Sequence, residues 1–235
     1  MNTANFLAAH PTYFEGAYEG FCGFGGPCVY FHQECLRARQ EGWFSTRHVE
    51  MLYATLTAWG MHRMGEGKTK LNGWLAFRDS LVATESLLRP FQRLTMAELT
   101  EQEYANALQS LWPAYSMLKL GVSDATVVIN SKALFHILPH LIPPIDRQYT
   151  IRFFQQPPER WRDKKGAFRA VSLPPTKEAQ FQLFRDTCIR IKRIADKVTR
   201  SLWQEELHSC GVTLPKAIDN AIVNYVKIVS KAQRI

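Results

Sequence analysis

Apolar residues in this chain recur three and four positions apart, the spacing that lays them along one face of a helix. The clearest case runs from 176 to 198. Phe181, Phe184, Cys188, Ile191, Ala195 and Val198 form the stripe, and Arg185, Arg190, Lys192, Arg193 and Lys197 cover much of the remainder. A second such face, Leu214, Ile218, Ala221, Ile222, Tyr225 and Val229, predicts a helix over 213–231. Earlier, a helix is expected over 29–40. Ser45 or Thr46 caps the next, whose face is Val49, Leu52, Leu56 and Trp59. A helix over 71–89 stops at Pro90. Thr100-Glu101-Gln102-Glu103 reads as a capping box, opening a helix that breaks or kinks at Pro113. No stretch alternates with period two, and no repeat is present. The expectation is an all-α fold: one helical domain over 1–235, divisible into lobes 1–118 and 119–235 around a central cleft.

Three segments break the helical pattern. Residues 1–28 place Phe14, Tyr18, Phe21 and Phe24 among Gly16, Gly20, Gly23, Gly25 and Gly26. This reads as a loop, either folded over the core or offering an aromatic surface to an extruded base. The run TAWGMHRMGEGKTKLNG carries Lys68 and Lys70 and is either a phosphate-contacting loop or a flexible connection. It lacks the G-x-x-x-x-G-K-[ST] spacing of a nucleotide-hydrolase loop. After Phe154, four prolines and several charges predict a long exposed loop, in which Arg160, Arg162, Lys164, Lys165 and Arg169 flank Trp161 and Phe168. That composition suits a nucleic-acid backbone with an unstacked base, and equally a solvated loop.

Charge sharpens the picture. A formal net charge of +8 and a pI near 9.3 favour acidic partners, most simply nucleic acid. No run of 18 apolar residues exists and the N-terminus has no secretory pattern, so a cytoplasmic protein without a membrane span is expected. Five cysteines, an odd number, argue against a disulfide scaffold. Cys22, Cys28, His32 and Cys35 lie close together but contain no C-x-x-C pair, and Cys188 and Cys210 alone cannot hold a four-cysteine iron–sulfur cluster. No metal and no organic cofactor is expected.

The chain is organised around KLGVSDATVVINSKALFHILPHLIPPIDRQYTIRFF, residues 119–154. A Gly-Val turn leads to Asn130 or Ser131 as a helix cap, with Lys132 in the first turn and the helix ending near Pro139. A stiff Ile142-Pro143-Pro144-Ile145 strut then presents Asp146 at the start of another helix. A lysine facing the positive end of a helix dipole is a better amine nucleophile, and a capping aspartate stays ionised and fixed. Asp146 is equally readable as an ordinary cap, and Lys132 as a surface lysine.

These residues resemble the helix-hairpin-helix DNA glycosylases, the 8-oxoguanine branch above all. There, a hairpin with a Gly-hydrophobic-Gly turn precedes a lysine-bearing helix, and a segment like Val-Pro-Val-Asp delivers the catalytic aspartate. Ile142 to Asp146 matches the second feature. Leu120-Gly121-Val122-Ser123 has no second glycine, and Lys132 stands 14 residues before Asp146, closer than the family pattern. The likeness covers roughly a third of the chain. A fainter one joins it to bacterial antiviral glycosylases that remove modified cytosines from phage DNA. The resemblance implies a monomer that excises a base from DNA. Asp146 and Lys132 would be catalytic, and Gly121, Ser131, Lys68, Lys70, Arg147, Arg160, Trp161, Arg162, Lys164 and Lys165 would contact DNA. The rival reading is a non-enzymatic DNA-binding protein using the same basic surface. A metal-dependent nuclease built on Asp79, Glu85, Asp146 and histidines has no tight acidic motif behind it.

Overall fold

The structure is a computed structural model that describes residues 2–22, 26–61, 69–198 and 212–232, with the side chains of 16 and 18–22 excepted. The chain is all-α. Two isolated β-bridges, Leu71 with Gly121 and Arg162 with Phe168, are the only β pairings among the described residues. The described helices are too short or too polar to cross a membrane.

The N-terminal segment, expected to be a loop, is two helices, α1 (Asn2–Ala8) and α2 (His10–Cys22). Tertiary burial overrides the glycines. Phe6 is fully buried, ringed by Tyr13, Phe14, Phe153 and Tyr225 at centroid distances of 5.5–6.0 Å. The side chains of Tyr18 and Phe21, and all of Phe24, lie outside the described residues.

Next come α3 (Pro27–Glu41) and α4 (Thr46–Leu56), the latter capped by Ser45, whose hydroxyl accepts from the His48 amide. α4 runs into a kink, Thr57–Met61, where Trp59 and Gly60 depart from helical dihedrals and Gly60 takes φ +82°, so Trp59 leaves the helical face predicted for it. The helix expected over 71–89 is split into α5 (Trp74–Val82) and α6 (Glu85–Leu88) at buried Thr84, whose hydroxyl donates to the Leu81 carbonyl. The capping box forms as expected at Thr100 and opens α7 (Glu101–Ser110). The helix breaks before Pro113, as expected: α7 ends at Ser110, and Pro113 sits in the first turn of a separate α8 (Trp112–Met117), where a missing N–H costs nothing. Then follow α9 (Thr126–Ile137), α10 (Arg152–Gln155), α11 (Lys177–Ala195) and α12 (Leu214–Ala232).

Contacts cross residue 118. α2 lies along α12, and α9 touches α3, α4 and α11, within one continuous apolar core. α11 buries Phe181, Phe184, Cys188, Ile191 and Ile194, and α12 buries Ile218, Ala221, Ile222, Tyr225 and Val226.

Where α3, α4 and α9 meet, His32, His48 and His136 are almost wholly buried. His136 Nδ1 lies 2.8 Å from the Lys132 carbonyl, which can only accept, so its Nε2 accepts from His32 Nδ1 at 3.1 Å. His48 Nδ1 accepts from the Phe44 amide, and its Nε2 donates to the His136 carbonyl. Burial holds all three imidazoles neutral. His32 is lowered to about 3 by burial and then by Lys216, and His48 to about 4 by burial; His136 falls well below the usual value through burial and then His32.

An imidazole whose folded pKa is depressed contributes stability that is complete above its unfolded value of 6.5 and is lost as pH falls towards the folded value. Unfolding free energies from urea titrations between about pH 6 and pH 5 should therefore fall by about 1.4 kcal/mol per pH unit for each such histidine. His48→Gln should make the slope visibly shallower; an unchanged slope would mean His48 is not held neutral.

Candidate functional site

The amide of Thr126 opens α9, so Lys132 stands nearly two turns inside the helix, not in its first turn. Asn130 and Ser131 are buried mid-helix residues, and neither is a cap. The cap comes from elsewhere. Gln180 Oε1, on α11, accepts from the amides of Thr126 (2.7 Å) and Val127 (3.1 Å). A partner 54 residues distant leaves no trace in the local sequence. At that depth Lys132 lies beyond the helix-dipole effect, which is confined to the terminal turn.

Ser131 is fully buried and its hydroxyl splices α9 to the proline strut. It accepts from the Ile145 amide at 3.1 Å and donates to the Val128 carbonyl at 2.9 Å. It is a structural splice, out of reach of DNA. Asp146 follows directly and caps the π-type turn Arg147–Ile151. Its Oδ1 accepts from the amides of Gln148 (2.7 Å) and Tyr149 (3.2 Å). Oδ2 is thereby turned towards Lys132 Nζ, 3.5 Å away. The Lys132 side chain is 9% exposed and the Asp146 side chain 31%, so an amine sunk in the protein meets a carboxylate at the edge of open space.

That space is a pair of adjoining cavities, of about 620 and 500 Å³, sharing Trp59, Gly60, Lys132, Asp146 and Tyr149. Trp59 is anchored by its Nε1, which donates to the Cys28 carbonyl at 3.0 Å. Lys132 Nζ lies 5.7 Å from its ring centroid and Lys216 Nζ 5.0 Å. In the larger cavity Lys70, Lys132, Arg147 and Arg169 face one carboxylate, Asp146, among the described lining residues. A cleft with that imbalance concentrates anions.

Of the residues expected to contact DNA, Lys70, Gly121 and Arg147 line the larger cavity. Gly121 is needed for close approach: an added Cβ would lie 3.0 Å from the Lys70 carbonyl oxygen, in the bridge that joins the α8–α9 turn to residues 70–72. Lys68 lies outside the described residues. Arg160, Lys164 and Lys165 are exposed and line neither cavity.

Trp161 is not a stacking platform. It is fully buried with its Nε1 donating to the Gln156 carbonyl, and it anchors the segment expected to be an open loop. Arg162 donates to the Ser230 and Gly166 carbonyls, and with buried Arg152 it brackets the Phe168 ring at 4.4 and 4.6 Å. The segment closes into a small hairpin because Asp163 Oδ1 accepts from the Lys165 and Ala167 amides and Gly166 adopts φ +77°. Asp79 and Glu85 pair with Arg78 and Arg89 and line neither cavity. Among the described residues no three His, Cys, Asp or Glu side chains are grouped to hold a metal ion. Cys28, Cys35 and Cys188 are free thiols, the Cys35 thiol pushed up to about 12 by burial; the side chain of Cys22 and all of Cys210 lie outside the described residues.

Phe168 and Arg169, expected only as part of the basic loop, line the larger cavity, whereas Trp59, Tyr149, Lys216 and Asp219 were not expected at the site. The one local signal was in α12, where Lys216 and Asp219 are the charged residues among Leu214, Pro215, Ala217 and Ile218. Searches against protein-family models, curated proteins and solved structures return no match.

Ser131→Ala removes the acceptor of a buried amide. It should lower the unfolding free energy by about 1–3 kcal/mol, read from the denaturant midpoint. A loss within experimental error would show that the Ile145 amide has another partner.

Proposed function

We propose that the protein excises a base from DNA by cleaving its N-glycosidic bond. The observation that carries this reading is the Lys132–Asp146 pair, an amine and a carboxylate 3.5 Å apart where two cavities meet, beside an anchored tryptophan. The glycosidic carbon is shielded in duplex DNA, so the nucleotide must leave the stack to be cut. The cationic lining of the larger cavity suits the phosphates on either side of such a nucleotide.

As the bond breaks, positive charge builds on the sugar and negative charge on the departing base. Asp146, fixed by two amides, stabilises the sugar cation. The Lys132 ammonium supplies a proton to the base nitrogen that takes the electron pair. The free amine that remains attacks the sugar carbon, and ring opening yields a Schiff base, the route to strand cleavage.

Asp146→Asn keeps the Oδ1 acceptor for both amides and removes the charge. In a screen of duplexes carrying different damaged or modified bases, the variant should bind DNA as the wild type does and release base about 10²–10³-fold more slowly. Base release at the wild-type rate would reduce Asp146 to a helix cap and remove the main support for the reading.

Phosphate contact makes binding salt-dependent. Lys70→Glu with Arg147→Glu should weaken binding to all duplexes alike and flatten the plot of log affinity against log salt by about one unit per lost contact. Lys164→Glu with Lys165→Glu, away from both cavities, should change the slope less. The reverse ranking would place DNA on the other face.

A further inference from the structure

The smaller cavity holds a second charged pair, which the chemistry above does not use. Lys216 Nζ donates to Asp219 Oδ2 at 2.9 Å, and the two side chains are 8% and 6% exposed. Both line the cavity together with Pro144, Trp59 and Tyr149, and Lys216 Nζ lies over the Trp59 ring. Buried pairs are costly to desolvate and often replaceable by apolar residues at no loss of stability. One that faces a cavity beside a reactive centre therefore calls for a ligand.

The pair is also tied to the site. Asp219 Oδ1 accepts from the Thr150 hydroxyl at 2.9 Å, and that hydroxyl oxygen accepts from the Asp146 amide at 3.1 Å. One hydrogen-bonded frame thus sets the distance between Asp146 and the floor of the smaller cavity. Resting on the base-excision reading, we propose that Lys216 and Asp219 read the edge of the extruded base stacked against Trp59. They are specificity-determining residues, distinct from Lys132 and Asp146.

The chemistry of the pair names the edge it selects. Lysine only donates and aspartate only accepts. The matching edge sets a carbonyl oxygen beside a ring N–H, the lactam edge of a keto base, and each contact is then a charge-assisted bond. An amino base reverses the two positions: an exocyclic N–H donor then meets the lysine and a ring-nitrogen acceptor meets the carboxylate, so neither contact forms. The pair should favour keto over amino bases.

Removing one partner would strand a buried charge, so the test uses the double variant Lys216→Gln with Asp219→Asn, which is neutral and keeps hydrogen-bonding capacity. Two measurements are made on the full chain. The first is single-turnover base release from duplexes that each present one keto or one amino base. The second is quenching of Trp59 fluorescence by free uracil, hypoxanthine, cytosine and adenine, with Trp59→Phe as the blank. The proposal expects wild type to prefer keto bases in both, and the double variant to lose at least tenfold of that preference while binding an abasic-site duplex unchanged. A uniform fall across all bases, an unchanged ranking, or an amino preference would overturn it while leaving base excision standing. Keto-selective quenching that depends on the pair, without base release from any duplex, would keep the binding site and overturn the excision reading. Neither quenching nor release would overturn both.

Discussion

The bond on which the site depends is the one between the Ser131 hydroxyl and the Ile145 amide. It joins the middle of a largely buried helix to the end of a proline-stiffened strut. Lys132 and Asp146 are the neighbours of its two ends. Their 3.5 Å separation follows from a splice one residue away on each side. Because Asp146 Oδ1 is already engaged by two backbone amides, the carboxylate has one orientation, with Oδ2 towards the amine. The site is preorganised by backbone bonds and core packing, the arrangement that electrostatic stabilisation of a developing charge requires.

The same economy runs through the surroundings. Two turns flank the cavities, the kink of Thr57–Met61 and the π-type turn Arg147–Ile151, and each brings an aromatic ring to the lining: Trp59 from one, Tyr149 from the other. Behind Trp59 the neutral histidines close the core, and His136 receives its orientation from the carbonyl of Lys132 itself. The lysine's backbone thus supports the core, while its side chain faces the cleft.

Much of this was legible in the chain. Periodicity located α11 and α12, Thr100 announced its capping box, and the Pro-Pro-Ile-Asp segment marked Asp146 as a presented carboxylate. What was not legible depended on distant partners. The start of α9 was misplaced: the caps expected were Asn130 or Ser131, but the N-cap position is Ala125 and the capping group is Gln180 from another helix. The aromatic N-terminus read as a loop because glycines were weighed locally, while Phe6 owes its helix to rings at 153 and 225. The basic loop read as open because nothing local says that Arg152 and Trp161 are buried beneath it. Lys216 and Asp219, 70 and 73 residues beyond Asp146 in the chain, entered the site only through folding.

Two buried lysines stand over the same tryptophan, so which amine attacks the sugar in the proposed excision is the most direct test of the account. The protein should be incubated with a duplex whose base it releases, reduced with borohydride during turnover, and digested for mass spectrometry. The account predicts a sugar adduct on Lys132, abolished in Lys132→Ala. An adduct on Lys216, or base release with no adduct on any lysine, would contradict it.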